Sequence, residues 1–262
     1  MTTNSLETYE GDVEPTRQQT PYDPFFGSFL GALRENLMPG SSEYGTVLSL
    51  FSLVVATRAR NILEIGRQRG YTTLALAAAC KFIEMGWDEP EQNKVRPDVD
   101  YKAFEARKGG MVWSVDCTPR PEAEALIEKY GLGRYVTYVN QDSTDVIFPE
   151  QTQFDLMFID GDHTFDGCLR DVTKFVIKNL KPGGYFILHD YFGWYINGKS
   201  CSPIMQVVQK CLGDFDQVLI DTGYQSFVLF RKQTIQIPVR GKANDTSGVA
   251  SGTVILEVKN GK

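Results

Sequence analysis

Short apolar runs alternate with longer amphipathic stretches through the middle of the chain. Runs that are apolar on both faces are typical of buried parallel strands, and apolar residues that recur every three or four positions are typical of helices. The predicted strands are 61–65, 111–115, 135–139, 154–159 and 185–188, and the predicted helices between them are 72–84, 122–130 and 166–179. Because strands that alternate with helices need crossover connections, the pattern predicts an α/β fold: a doubly wound, Rossmann-like, mostly parallel sheet with helices on both faces.

Further elements are predicted on either side of this core. Apolar and aromatic residues at helical spacing predict one helix that begins at Pro24 and a second that begins near Ser42. Towards the C-terminus, two β-rich runs, 217–220 and 227–230, are joined by a turn sequence that contains glycine. This pattern predicts a β-hairpin.

The length of 262 residues suits one large α/β domain, which we place at residues 24–232. Residues 1–23 lack periodicity and are predicted to form a mobile N-terminal arm. Residues 86–110 are polar and contain two prolines, so they are predicted to be an insertion between the first of the core helices and the second strand. Residues 233–262 are predicted to be a β-rich C-terminal extension. Its two weaker strand candidates are 235–239 and 253–258.

The composition argues against several classes of protein. A net charge of -6 and a pI near 5.1 argue against a nucleic-acid-binding surface, because neutralising phosphates requires clustered Lys and Arg. Five cysteines without a C-x-x-C pair fit neither a disulfide framework nor a zinc site. The N-terminal residues lack an apolar signal segment, and no apolar run approaches the length of a membrane span. We therefore expect a cytoplasmic protein without nucleic-acid or membrane partners.

A glycine-containing turn joins the first predicted strand to a helix, in the run EIGRQRGYT. Ligands of open α/β sheets bind beyond the carboxyl ends of the strands, which is where this turn lies. Gly66 and Gly70 let the backbone pass close to a ligand, and Thr72 can cap the helix. Gln68 stands at the place of the middle glycine of G-x-G-x-x-G. A site for a nucleoside without phosphates is therefore expected rather than a pyrophosphate site.

Acidic and polar residues follow the next two strands. Asp116 ends the second strand, where a carboxylate can accept both hydroxyls of a ribose. Asp142 and Ser143 follow the third strand and suit the edge of an adenine. Each acidic residue alone could equally be a cap or a solvated turn residue. Their coincidence at successive strand ends favours a nucleoside site.

The chain has two histidines, and both follow apolar runs and lie near aspartates. The run FIDGDHTFDG contains Asp160 and His163, and the run GGYFILHDY contains His189 and Asp190. His163 could accept the proton of an acceptor group as a general base with a near-neutral pKa. It could equally cap the following helix or orient the loop.

Together, the motif Glu64-x-Gly66-x-x-x-Gly70, Asp116, Asp142 and the segments FIDGDH and LKPGGYFILHD resemble those of a class I S-adenosylmethionine-dependent methyltransferase. Within that group the chain is most similar to small-molecule O-methyltransferases related to the macrolide-sugar enzymes and to the cephalosporin-biosynthesis methyltransferase. The glycine turn alone is a weak signal. The IDGDH segment followed by K-P-G-G-x-x-x-x-H-D at the next strand is much more specific.

The resemblance, which covers about residues 42–231, implies a seven-stranded sheet whose last two strands form an antiparallel edge hairpin. It also implies that S-adenosylmethionine binds beyond the strand ends. The residues that it assigns to this cofactor are Glu64, Gly66 and Gly70 at the methionine and ribose parts, with Thr72 beside them, Asp116 at the ribose, and Asp142 and Ser143 at the adenine.

A divalent metal is implied as well. Related O-methyltransferases bind one with an aspartate at the fourth strand end and an acidic pair at the fifth, and these positions carry Asp160, His189 and Asp190 here. Carboxylate ligands suit magnesium, which would lower the pKa of a coordinated acceptor hydroxyl. His189 departs from a purely acidic pair and could ligate a softer metal or hydrogen-bond to Asp160.

The sequence therefore predicts an S-adenosylmethionine-dependent O-methyltransferase that acts on a hydroxyl of a small molecule with help from a metal, with Asp160 and His163 as catalytic residues. One alternative is a metal-independent O- or N-methyltransferase that uses His163 as base. Another is a non-catalytic nucleoside-binding module. An NAD-dependent oxidoreductase is disfavoured by Gln68 and by the lack of a second substrate domain. The first helix and the C-terminal β-rich extension could support a homo-oligomer.

Overall fold

A computed structural model describes residues 22–36, 42, 44–87, 110–192, 195–196, 199–200, 202–212, 215–221 and 226–232. The predicted arm up to residue 21, most of the predicted insertion and the whole predicted C-terminal extension lie outside the described residues. Among the described helices, none is long and apolar enough to cross a membrane.

A seven-stranded sheet forms the centre of the protein. The strands are β1 (Asn61–Ile65), β2 (Met111–Asp116), β3 (Val136–Asn140), β4 (Phe154–Ile159), β5 (Leu180–Leu188), β6 (Asp216–Asp221) and β7 (Ser226–Arg231). Their order across the sheet is β3-β2-β1-β4-β5-β7-β6. The first five strands pair in parallel, and β7 runs antiparallel to both β5 and β6. The predicted fold class is confirmed, including the antiparallel hairpin at the edge.

Helices cover both faces of the sheet. They are α1 (Tyr22–Asn36), α2 (Tyr44–Thr57), α3 (Tyr71–Trp87), α4 (Pro121–Lys129), α5 (Phe165–Asp171) and α6 (Pro203–Cys211). Helix α5 continues through a π-helical turn, Val172–Val176, into Ile177–Asn179. The first four helices pack on the face that carries Ile62, and the last two pack on the face that carries Leu63. Because successive strand residues point to opposite faces, β1 is buried on both, as its apolar run predicted.

Helix α6 was not predicted, although its start carries recognisable signals. The Ser202 hydroxyl accepts the Met205 N–H at 3.4 Å, and Pro203 occupies the first helical position. Ile204, Val207 and Val208 recur at helical spacing and are buried. The pattern of the sequence predicted no element between the fifth strand and the hairpin.

Strand β5 begins at Leu180, five residues before its predicted start. Leu180 pairs with Phe154, and the next pair is Tyr185 with Leu156, so the KPGG segment forms a bulge inside the strand. Gly183 adopts a φ of 77° there, a conformation that glycine reaches without steric cost. A proline and two glycines resemble a turn in sequence, which explains the error.

Asp155 lies near the start of β4 and is hydrogen-bonded to the starts of β1 and β5. We therefore expect Asp155→Ala to lower the free energy of unfolding by about 2 kcal/mol. One carboxylate oxygen accepts the N–H groups of Arg60 and Asn61 at 3.0 and 2.9 Å, and the other accepts Lys181 Nζ at 2.6 Å. Burial would raise the pKa of Asp155, but these donors outweigh it and hold that pKa below its ordinary value.

Because the folded-state pKa of Asp155 is lowered, this stabilisation is present above the unfolded-state pKa of about 4 and is lost as the pH falls through the folded-state value. Urea unfolding of wild type and Asp155→Ala should therefore differ at pH 7 and converge in acid. The exposed Glu150→Ala serves as the control, with an expected change within about 0.5 kcal/mol. An equal effect of both substitutions at pH 7 would contradict the role of Asp155.

Candidate active site

The carboxyl ends of the central strands meet at one edge of the sheet, and the loops that follow them are joined by backbone hydrogen bonds. The Gly66 N–H donates to the Val115 carbonyl at 2.9 Å, and the Asp160 N–H donates to the Ile65 carbonyl at 2.8 Å. The His189 N–H donates to the Ile159 carbonyl at 3.1 Å. The sheet ladder therefore extends one residue into each loop, which fixes the side chains that follow.

Gly66 is the point at which two of these loops touch. A Cβ atom on Gly66 would lie 2.1 Å from the Asp160 carbonyl oxygen, and its φ is 93°. Both observations require glycine at this position. The turn after β1 and the loop after β4 are therefore packed backbone against backbone.

The rest of the turn is fixed by Gln68 and Gly70. Gln68 has a φ of 45°, and its N–H donates to the Asp116 carboxylate at 2.8 Å. A Cβ atom on Gly70 would lie 2.8 Å from the Cβ of Ala123, where α4 crosses the turn. Gln68 therefore adopts the left-handed conformation that a glycine would take, and its N–H binds a carboxylate of the protein.

Arg67 lies beneath this turn and is almost completely buried. Its guanidinium donates to the Ser114 carbonyl at 2.8 Å and to the Asn140 side chain, and it stacks 5.1 Å from the centre of the Tyr138 ring. Guanidinium groups suit such buried, stacked positions because they are planar and weakly hydrated. Arg67 thereby connects the turn to β2 and β3. Sequence reasoning gave it no role, because an arginine in a turn is ordinarily solvated.

Glu64 and Thr72 lie together inside the protein, behind the turn. One Glu64 oxygen accepts the Thr72 hydroxyl at 2.5 Å, and the other accepts the hydroxyls of Thr73 and Ser114 at 2.6 and 2.5 Å. Burial raises the pKa of Glu64, although the three hydroxyls and Arg67 oppose that shift. Glu64 thus clamps the start of α3 to β2. Its predicted contact with a cofactor, and that of Thr72, stay predictions.

We expect Glu64→Gln to lower the free energy of unfolding by about 1 to 3 kcal/mol, because an amide nitrogen cannot accept a bond from a hydroxyl donor. Chemical denaturation would measure this loss. Glu128→Gln, an exposed change on α4, is the control and should alter stability by less than about 0.5 kcal/mol. If the two variants are equally stable, the clamp does not contribute to folding.

Asp116 is buried at the end of β2. Its carboxylate accepts the N–H groups of Gln68 and Thr118 at 2.8 and 2.9 Å, and Arg120 Nε lies 3.4 Å away. These donors orient the carboxylate without using all of its lone pairs. The structure places Asp116 beside the turn, and its predicted contact with ribose hydroxyls stays a prediction.

Asp142 and Ser143 follow β3, and their side chains point in different directions. Asp142 is exposed, and one of its oxygens accepts both the N–H and the hydroxyl of Thr144, which lower the pKa of Asp142. The Ser143 hydroxyl donates at 2.7 Å to Asp171, a buried residue of α5. The Ser143 hydroxyl is therefore directed into the protein.

The two histidines and two aspartates at the ends of β4 and β5 come together, and we call them the Asp–His cluster: Asp160, His163, His189 and Asp190. His163 Nε2 lies 3.2 Å from Asp160 and 3.0 Å from Asp190. His189 Nδ1 lies 3.0 Å from Asp160 and 3.3 Å from Asp190. Asp190 has a φ of 53°, a strained conformation for a residue with a side chain.

The aspartates and histidines of the Asp–His cluster stabilise each other's charged forms. Burial acts to raise the pKa of Asp160, but His189 and His163 outweigh it and lower that pKa to about 2. Hydrogen bonds to Asp160 and Asp190 raise the pKa of His163 to about 10. Burial acts to lower the pKa of His189, but Asp160 outweighs it and the pKa is raised. The near-neutral pKa that the sequence suggested for His163 does not hold in this arrangement.

Asp160, His189 and Asp190 could together hold a metal ion. Each offers a ligand atom, and these atoms all lie within 4.8 Å of one another. His189 Nε2 is buried without a hydrogen-bond partner among the described residues. Two carboxylates and an imidazole form a donor set that suits a divalent ion with oxygen and nitrogen ligands. His163 occupies the neighbouring position against the same two carboxylates.

The chain matches a known protein family over residues 63–191, and that family is described as a methyltransferase domain. This segment belongs to the methyltransferase family. It begins in β1, ends just after β5 and contains the turn, Asp116 and the whole Asp–His cluster. The resemblance to class I methyltransferases is therefore confirmed. No curated protein matches the chain in sequence.

Solved structures share the fold of this methyltransferase. Rv0187 from MTB, solved with cofactor bound, is 19% identical with a TM-score of 0.55, and the match covers 80% of this chain and 90% of that one. The O-methyltransferase TomG from Streptomyces achromogenes, solved with SAM, is 20% identical with a TM-score of 0.53 over 80% and 90% of the two chains. An O-methyltransferase from Bacillus cereus, solved with SAH, is 21% identical with a TM-score of 0.52 over 81% and 92%.

Proposed function

We propose that this methyltransferase transfers the methyl group of S-adenosylmethionine to a hydroxyl of a small molecule. The observation that supports this most strongly is the position of the Asp–His cluster: it lies one strand away from the turn after β1 and contacts that turn through Gly66 and Asp160. A cofactor on the turn and an acceptor at the cluster would thus be neighbours. TomG and the Bacillus cereus enzyme, both named O-methyltransferases, were solved with SAM and SAH.

The residues around the turn suit a nucleoside cofactor. The glycines let the backbone approach a ligand closely, and Asp116 is oriented by Gln68 and Thr118 with lone pairs left for ribose hydroxyls. Asp142 and the backbone of Ser143 would border the adenine. When bound, S-adenosylmethionine would supply a methyl group on a positively charged sulfur. The acceptor oxygen would displace that sulfur in line, and S-adenosylhomocysteine would leave. The protein contributes position and orientation.

The Asp–His cluster would prepare the acceptor. Asp160, His189 and Asp190 would hold a divalent metal, of which magnesium suits the carboxylates best. A bound metal would supply a positive charge that lowers the pKa of an acceptor hydroxyl and favours its oxygen anion. His163 lies next to both carboxylates, which hold a proton on its ring. Asp160 keeps its negative charge because both histidines surround it.

A second candidate is a metal-independent O- or N-methyltransferase in which His163 acts as base. His163 Nε2 fills a position against both carboxylates without a metal, which favours this candidate. The same contacts hold a proton on the ring, so His163 would have to lose that proton before it could act as base. This candidate requires activity that survives chelation and is lost in His163→Ala. A non-catalytic nucleoside-binding module would bind S-adenosylhomocysteine and transfer no methyl group.

Calorimetric titration with S-adenosylhomocysteine, with magnesium and then with chelator, tests the proposal. We expect micromolar binding in both conditions, tighter with magnesium, and methyl transfer to a hydroxylated acceptor only with magnesium. Transfer that is equal in chelator would establish the second candidate. A failure to bind S-adenosylhomocysteine in either condition would contradict the proposed function as a whole.

The proposal also covers the domain boundaries, the class of acceptor, the location of the protein and its partners. We place the catalytic domain at residues 24–232, with the arm, the insertion and the extension as additions. The acceptor is a small molecule, the protein works in the cytoplasm, and nucleic acid and membranes are not its partners. These statements rest on composition, charge and motif positions in the sequence.

A further inference from the structure

Strand β6 forms one edge of the sheet and is exposed on both of its faces. Within the described ranges its strand partner is β7 alone. Residues 216–219 are all exposed, and Val218 and Leu219 keep 57% and 46% of their surface accessible. Because neighbouring residues point to opposite faces, apolar surface is exposed on each side of the strand. Proteins ordinarily cover such an edge, since it can pair with other strands.

The chain leaves the described sheet beside this edge. Lys232 is bonded to β5: its N–H donates to the Gly184 carbonyl at 2.9 Å, and its carbonyl accepts the Gly183 N–H at 2.7 Å. Its Nζ also donates to the carbonyls of Val176, Ile177 and Leu180, where the helical segment that continues α5 leads into β5. The preceding residue, Arg231, pairs with Asp216. The segment that follows Lys232 therefore starts at a fixed point near the first residue of β6.

The C-terminal extension contains a sequence suited to that edge. The run TVILEV, residues 253–258, places Val254, Leu256 and Val258 on one side and Ile255 on the other. One side of a strand formed by this run would be apolar, and the other would carry Ile255 between Thr253 and Glu257. The other strand candidate of the extension contains Pro238, which lacks the N–H that a pairing strand needs.

The connection is long enough for residues 253–258 to reach β6. Residues 233–252 lie between Lys232 and this run, and residues 241–252 contain three glycines and two serines. Twenty residues reach at most roughly 66 to 72 Å when fully extended. The position beyond β6 lies two strand spacings, about 10 Å, from β7. Pairing within the chain is therefore sterically accessible.

We propose that residues 253–258 pair with the outer edge of β6 as an eighth strand and cover Val218 and Leu219. A second copy of the chain is a less favourable partner for this edge. The exposed area of Val218 and Leu219 is far smaller than the roughly 1,200 Å² that a stable interface buries. A tethered segment needs little area, since its effective concentration reaches the millimolar range.

Amide hydrogen exchange of the full chain tests this pairing. In β6 bonded only to β7, alternate N–H groups face outwards and exchange fast, whereas an eighth strand would protect them as well. We expect slow exchange both in residues 216–221 and in residues 253–258. Leu256→Pro removes an N–H from the new strand and should speed exchange in both segments at least about tenfold. Ser247→Pro, in the connecting loop, is the control and should leave both segments protected.

Two results would overturn the proposal. The first is exchange of residues 253–258 at unfolded-chain rates in the wild type. The second is protection of β6 that survives Leu256→Pro. If that surviving protection grows with protein concentration and the mass from light scattering doubles, a second copy covers the edge instead.

Discussion

Asp160→Asn should lower the rate of methyl transfer by about 10²- to 10⁴-fold, the range expected when a group that positions charge at a reacting atom is lost. The substitution keeps the size of the side chain and removes its charge, at a site where two histidines lie within 3.2 Å of the carboxylate. Steady-state assays with saturating S-adenosylmethionine and magnesium measure the effect. The circular dichroism spectrum should not change.

The matched control for this experiment is Asp166→Asn, which removes an exposed carboxylate on the first turn of α5. Its rate should stay within about twofold of the wild-type rate, as for surface changes away from the site. Binding of S-adenosylhomocysteine is measured on both variants to separate loss of chemistry from loss of cofactor binding. An Asp160→Asn enzyme that turns over at the wild-type rate would exclude Asp160 from catalysis.

Gly66→Ala should destabilise the protein by at least about 3 kcal/mol, or prevent folding of the turn. The added Cβ would lie 2.1 Å from the Asp160 carbonyl oxygen, and alanine is strained at a φ of 93°. Backbone lies on both sides of this contact, so no flexible side chain can move away. Urea unfolding measures the loss, and S-adenosylhomocysteine binding should fall with it.

Gly31→Ala is the control that separates steric conflict from a general effect of replacing glycine. Gly31 lies in α1, and nothing stands within 4 Å of the position its Cβ would take. Alanine should stabilise this helix by about 0.5 to 1 kcal/mol. The two Gly→Ala variants therefore have effects of opposite sign. Equal stability of Gly66→Ala and wild type would mean that the two loops can separate.

Much of the fold could be predicted from local patterns. Strands β1 and β4 have the predicted bounds, 61–65 and 154–159, because each is a short apolar run buried on both faces. Helix α6 was missed, and the start of β5 was placed five residues late. The bulge explains the second error: whether a proline and two glycines end a strand or distort one depends on pairing with β4, which a local pattern does not contain.

The candidate site could likewise be predicted from the sequence only in part. The sequence placed Asp160, His189 and Asp190 at neighbouring strand ends, and the structure brings them together because parallel strands end at one edge. It could not foresee that Ser143 is bonded to Asp171, or that Arg67 is buried beneath the turn. Those contacts depend on which helix packs above each loop. The pKa of His163 also depends on distances to two carboxylates from separate strands.

The contact between Gly66 and Asp160 packs the turn after β1 directly against the loop that carries Asp160. The Asp160 N–H is bonded to the Ile65 carbonyl, so a ligand on the turn after β1 would lie against the backbone that carries Asp160. If the site binds a nucleoside and a cation as proposed, any factor by which the nucleoside strengthens cation binding equals the factor by which the cation strengthens nucleoside binding. The population of the ternary complex at equilibrium would then be the same whichever ligand binds first.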